Sequence, residues 1–319
     1  MKLFCYTVAM KFSLSSSYFA GRRYTPDVMV AQTVALGFDA VELGYFTREV
    51  ELDAWQMALA REGVSVSSIH AFCPMPLEMP QLGPEVFSLA APEHEERQAA
   101  IRAMLRTLEA AVRFGARAVV THGGRVELRE PARLFGRRPY RSRLSQSLEQ
   151  LGFIDESLVE RERAFRESAA PKWLDAVSFS LEVLLPHFEA AGVALAFENL
   201  PGIEAFPDPA ECAFLRERFP STALAAWYDI GHGERKARTG DWPVQETLSL
   251  TYPFTVGVHI HDVRGLEEDH CAPGDGTVDF RMLLPLLKKE GLIRVFEPSP
   301  NVSAPALQSG LQRIRTLLE

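Results

Sequence analysis

Five times along this chain a helical stretch ends on glycine and runs at once into a short apolar segment: ALGFDAVELG, REGVSVSSIHAF, RFGARAVVTHGG, AAGVALAFENLPG and KEGLIRVFEPSP. Each glycine (Gly37, Gly63, Gly115, Gly192, Gly291) stands where a helix C-terminus needs a left-handed residue. The segments that follow are four to six residues rich in Val, Ala, Ile or Phe, as parallel strands buried on both faces are. Three further runs, LFCYTVAM, ALAAWYDIGHG and TVGVHIHDVRG, have the same character without the glycine. Between the runs lie helices: TPDVMVAQTVALG starts with Thr25 as N-cap and Pro26 at the first helical position, and VDFRMLLPLLKKEG and APALQSGLQRIRTLLE space their apolar residues by three and four.

Eight strands alternating with about eight helices imply a parallel sheet, and eight such units in 319 residues make a (β/α)₈ TIM barrel, read as a single domain over 1–319. A doubly wound open sheet is the runner-up, but the first strand is not followed by a glycine-rich phosphate-binding turn. One stretch, 125–170, is too long for an ordinary connection and reads as an insertion after strand 4 lying over the carboxyl-terminal face of the barrel. It contains RLFGRRPYRSR, with five arginines, read first as a solvated loop or a contact between copies of the chain, next as a lid over a phosphorylated or acidic small substrate, and last as a loop that contacts DNA.

The formal net charge of -8 disfavours general affinity for nucleic acid or an anionic membrane. The four cysteines, Cys5, Cys73, Cys212 and Cys271, form no CxxC pair and fit a reducing, cytoplasmic setting. In MKLFCYTVAMKF, Lys11 interrupts the apolar run and no small-residue cleavage site follows, so the segment reads as the first strand. No stretch approaches the ~20 apolar residues of a membrane span.

The strand ends carry Glu42, His70, His122, Glu198, Asp229 with His232, His259 with His261, and Glu297. In a barrel these ends share the face on which active sites are built. Carboxylates and imidazoles so gathered need a cation, and the mixture suits manganese, zinc, cobalt, iron or magnesium. Glu42 reads equally well as a brace for a neighbouring arginine. His261, two residues from His259, is read as a neighbour in the pocket or core layer. His94 and His187 sit in helical stretches and are given no role; Cys271 has no partner cysteine spaced to ligate with it.

GFDAVELG, SIHAF, VVTHGG, AFENLPG, YDIGHG, VHIHD, DHCAPGDGTVDF and FEPSP together resemble the xylose isomerase-like barrel superfamily, which holds sugar isomerases and epimerases, inosose dehydratases and nucleases of the endonuclease IV type. The resemblance implies one divalent metal held by Glu198, Asp229, His259 and Glu297, with Glu198 and Glu297 also moving protons on a small sugar or polyol-like substrate. It places His70, His122, His232 and His270 against substrate, and Arg264 in HDVRG reads equally as a contact to a substrate phosphate or hydroxyl and as a surface salt bridge. In the endonuclease branch the same histidines hold additional zinc ions, up to three in all, and the substrate is abasic DNA. The acidic residue two before His270, aspartate in that branch, is Glu268 here. AFENLPG resembles the isomerase branches, so a metal-dependent isomerase or epimerase is the favoured function. A dehydratase on the same scaffold is an alternative, as is a barrel that binds without turnover, and assembly into a homo-oligomer is compatible with the fold.

Overall fold

The computed structural model describes residues 10–75, 83–126, 156–266 and 268–319. Eight parallel strands close into a barrel in sequential order: β1 (Ser13–Ser15), β2 (Ala40–Leu43), β3 (Ser65–His70), β4 (Ala118–Thr121), β5 (Ala194–Glu198), β6 (Leu224–Asp229), β7 (Thr255–Ile260) and β8 (Ile293–Phe296). β1 completes the ring by pairing with both β2 and β8, Ser13 lying opposite Ala40 on one side and Val295 on the other. The helices are α1 (Pro26–Ala35), α2 (Leu52–Glu62), α3 (His94–Phe114), α4 (Glu156–Ala169), α5 (Pro171–Ala191), α6 (Pro209–Arg218), α7 (Ile230–Arg238), α8 (Val244–Thr251) and α9 (Ala304–Leu318), with one further turn at Leu284–Leu287. None of the described helices is long and apolar enough to cross a membrane.

Seven strands fall within the runs marked by the sequence, and all five punctuating glycines have the positive φ their position demands, from 65° at Gly63 to 90° at Gly37. The first strand differs. LFCYTVAM, residues 3–10, lies outside the described residues except for Met10, and β1 is the serine-rich SLS that follows. A search for apolar runs passes over it because only alternate residues are apolar: Phe12 and Leu14 pack among the helical residues Leu307, Leu311 and Ile314, while Ser13 and Ser15 are buried between them. Most of the expected insertion, 127–155, also lies outside the described residues; its end is α4, whose buried Arg166 bridges Asp208 and Glu211.

Small and branched residues, Ala118, Val120, Ala196, Ala225, Ile293 and Val295, share one buried cluster with Trp227. A Cβ on Gly257 would meet the Trp227 ring at 2.0 Å, so the glycine of TVGVHIH makes room for the indole. That ring lies 5.1 Å from the imidazole of His259 and forms the floor on which the site stands.

Candidate metal centre

The parallel register brings the strand ends to one level: Asp229 is opposite His259, and Val295, two residues before Glu297, is also opposite His259. Four side chains converge there, Glu198 from β5, Asp229 from β6, His259 from β7 and Glu297 just after β8, with one potential ligand atom from each within 4.8 Å of all the others. All four are buried. His259 Nδ1 lies 3.5 Å from Glu198 Oε1, 3.5 Å from Asp229 Oδ2 and 3.2 Å from Glu297 Oε2, yet makes no hydrogen bond. Its other nitrogen, Nε2, is 3.1 Å from Glu42 Oε1, and Glu42 also accepts from Ser68 Oγ at 2.7 Å. A carboxylate partner makes Nε2 the donor, which leaves Nδ1 as the atom that faces the three acids.

The electrostatics carry the same message. Burial opposes the charge on Glu198 and Asp229, but the surrounding imidazoles outweigh it and hold both carboxyls well below their usual range. Burial also opposes protonation of His259, and Glu297, Glu42 and Glu198 together lift it well above the ordinary histidine value. This point in the protein demands positive charge, and a proton on Nδ1 finds no aligned acceptor. A divalent cation fits both the donor set and the unpartnered nitrogen.

The histidines gather around this centre. Glu198 Oε2 meets His70 Nε2 at 3.1 Å and His122 Nε2 at 3.3 Å, and Glu198 Oε1 meets His232 Nδ1 at 3.1 Å. His70, His122 and Glu198 thereby form a second potential cation cluster that shares Glu198 with the first. The proximity of Glu198 raises His70 against the effect of burial, and Asp229 and Glu198 push His232 up to about 9 against the same opposition. His270 arrives from the hairpin of Asp262–Arg264 with Glu268–Cys271, and its Nδ1 bonds the Glu297 carbonyl at 2.8 Å. Burial lowers its pKa, and with Nδ1 donating to the carbonyl the neutral ring keeps its lone pair on Nε2.

One of the two readings of Arg264 is corrected here. Arg264 does not join the ring: it is exposed, bonded to Glu268 at 3.1 Å and to the Asp275 carbonyl. Glu268, paired with Arg264 across the hairpin, is exposed as well. The acid turned toward His270 and His232 is Asp269, which pairs with Arg235; its carboxyl is held low by His270, His232 and Arg235 against the effect of burial. Cys271 Sγ faces the carbonyls of Glu268 and Asp269 rather than any imidazole.

Other participants escaped the sequence reading. Asn199 accepts the Asp229 N–H at 2.8 Å and donates to the Asp229 carbonyl at 3.0 Å, extending the sheet past the end of β5 with a side chain. Glu85 holds His122 Nδ1 at 3.3 Å and is itself clamped by Arg125, which reaches on to Glu204. Tyr45 sets its ring edge-on to His70, centroids 5.7 Å apart. Asn199 and Tyr45 lie one and two residues beyond a strand end, a signal that position alone supplies. Glu85 belongs to a connection without periodicity, where no such signal exists.

The family described as xylose isomerase-like TIM barrel matches residues 30–317. No curated protein matches the chain at the level of sequence. Among solved structures, 3-keto-D-glucoside 4-epimerase from E. coli is similar over 96% of this chain and 99% of its own, at 17% identity and a TM-score of 0.66. D-psicose 3-epimerase from Clostridium cellulolyticum H10, solved with D-tagatose, covers 97% of this chain and 100% of its own at 12% identity, with a TM-score of 0.64. A probable 3-DHS dehydratase from Bacillus anthracis covers 96% and 98% at 12% identity and a TM-score of 0.60.

Proposed function

Since the chain belongs to the xylose isomerase-like TIM-barrel family, we propose that it is a divalent-metal-dependent isomerase or epimerase of a small sugar or polyol-like substrate, acting by proton transfer. The observation that carries this reading is the unpartnered Nδ1 of His259 faced by Glu198, Asp229 and Glu297. Glu198, Asp229, His259 and Glu297 hold the cation, which when bound polarises a ketose carbonyl and its neighbouring hydroxyl and so acidifies the C–H beside them.

The two glutamates reach the centre from β5 and β8, with the ligands of β6 and β7 between them. Their surroundings divide the work. The carboxylate of Glu198 is approached by four histidines, His70, His122, His232 and His259, whereas that of Glu297 keeps more exposure and is approached by His259 alone among the ring imidazoles. Glu297 is therefore the freer base to take a proton from carbon, and Glu198, fed by its histidines, returns one to the opposite face or the adjacent carbon. His232 and His270 turn an Nε2 toward substrate hydroxyls, while His70 and His122, whose ring nitrogens are taken up by Glu198 and by the Ala71 carbonyl or Glu85, reach substrate only by letting one of these bonds go. Similarity to two epimerases of 3-ketoglucosides and ketohexoses supports the substrate class. A dehydratase uses the same first proton abstraction and expels a hydroxyl instead of taking a proton back.

A ketose panel in heavy water tests the reading. With one equivalent of manganese or cobalt, deuterium enters the carbon beside the carbonyl, and Glu297→Gln lowers the rate at least ~10²-fold. A second reading is favoured by one observation, the His70–His122 pair on the far oxygen of Glu198, which offers a second cation position. Two or more tightly held zinc ions, with cleavage of a phosphodiester and no exchange into any ketose, would replace the isomerase by a metal-assisted hydrolase.

A further inference from the structure

His232, His261 and His270 bring three imidazoles within ligating distance of one another, the composition of a third cation position. The hydrogen bonds of His261 argue for a different job. Its Nε2 is 2.9 and 3.0 Å from the two oxygens of Asp229, and its Nδ1 receives the backbone N–H of His270 at 2.9 Å. A backbone N–H can only donate, so Nδ1 is the acceptor and Nε2 carries the hydrogen given to Asp229. Both nitrogens are committed, and the ring is wholly buried.

The surroundings are shaped to this arrangement. A Cβ on Gly231 would lie 2.0 Å from His261 Cε1, so the first turn of α7 is bare where the ring passes. The imidazole of His270 stacks on it, centroids 4.0 Å apart and planes 20° from parallel. His270 is the one described residue other than glycine with positive φ, 56°, and it is fixed from three sides: N–H to His261, Nδ1 to the Glu297 carbonyl, and carbonyl to the Ser299 N–H at 2.8 Å. His261 thus joins a ligand of the metal centre to the hairpin that carries a substrate-facing histidine.

We propose that His261 is a positioning residue with two separable tasks, its Nε2–H holding the Asp229 carboxylate in place for the cation and its Nδ1 holding the backbone of His270 over the mouth. The trio is then a hydrogen-bonded bracket and not a third metal site. The inference rests on the metal-centre reading, but its readouts do not depend on turnover of any sugar.

Two amide substitutions separate the tasks. Glutamine places its amide nitrogen near the position of Nε2, and asparagine places its amide oxygen near that of Nδ1. With Mn²⁺ alone as the probe, chelator competition should give His261→Gln an affinity within about threefold of the parent, and His261→Asn one about 10- to 100-fold weaker. Amide hydrogen exchange should show the reverse: His270 and Cys271 exchange at least about tenfold faster in His261→Gln and near the parent rate in His261→Asn. Equal losses on both measurements in both variants would reduce His261 to a packing residue and overturn the proposal. So would a third equivalent of metal in the parent that both variants lose, which would make His261 a ligand. Absence of any metal binding in the parent would instead sink the centre itself, a distinct result.

Discussion

Glu42 and His259, 217 residues apart in the chain, form a buried carboxylate–imidazole pair at 3.1 Å that decides which nitrogen of His259 faces the cation site. Glu42→Gln turns a charged acceptor into a neutral one and lets the ring choose its tautomer. Removing such a support typically costs 10- to 100-fold in metal affinity. We expect a loss of about that size for Mn²⁺ by chelator competition, with the fold retained by circular dichroism. An unchanged affinity would show that the pair does not orient the ligand.

Stability of the metal-free protein should fall as pH rises through the neutral range. His232 has a folded-state pKa of about 9 against an ordinary value of 6.5, because Asp229 and Glu198 overcome the effect of burial. A raised pKa contributes stability that is fully present below pH 6.5 and lost between 6.5 and 9. Cation binding satisfies the same carboxylates and should flatten that slope while raising the midpoint. At a hundredfold excess over Kd the gain is about 2.7 kcal/mol. Urea midpoints at pH 6, 7.5 and 9, with and without Mn²⁺, check both parts; parallel curves would contradict them.

Glu85 makes the opposite prediction at low pH. Burial works against its charge, but His122 and Arg125 bring its pKa down from 4.5 to about 2. A depressed pKa contributes stability that is present above pH 4.5 and disappears as pH falls toward 2. Glu85→Gln should lower stability at pH 7 and remove part of the acid-induced decline. An acid titration of the variant as steep as the parent's would assign the decline to other carboxylates.

Gly231→Ala places a methyl where His261 stands. The backbone φ is ordinary there, so the effect is one of space alone. Overpacking of this kind typically costs 1–3 kcal/mol. The expected result is a lower melting temperature together with weaker Mn²⁺ binding, because the displaced ring lets go of Asp229. Loss of stability with unaltered metal affinity would uncouple the two.

The barrel was legible because its punctuation is local: Gly63, Gly115 and Gly192 each cap a helix and announce a strand within a few residues. The ring was legible because strand ends are places, and a chain that repeatedly puts Glu, Asp or His there discloses a mouth. What stayed hidden depends on distance in sequence. Glu42 could not be told from a brace for an arginine, since its partner lies on β7. The orientation of the hairpin's side chains, Asp269 inward and Arg264 with Glu268 outward, follows from its register of Asp262 opposite Cys271 and Arg264 opposite Glu268, which no periodicity in so short a segment announces. β1 was missed because a strand whose alternate residues are serines lacks the continuous apolar run used to find the rest.

Trp227 gives the centre one more property. The indole packs among the inward residues of the strands and against His259, so the barrel interior beneath that imidazole is filled with side chains. On the proposed reading, a substrate reaches the centre from the carboxyl-terminal end of the strands and leaves by the same end.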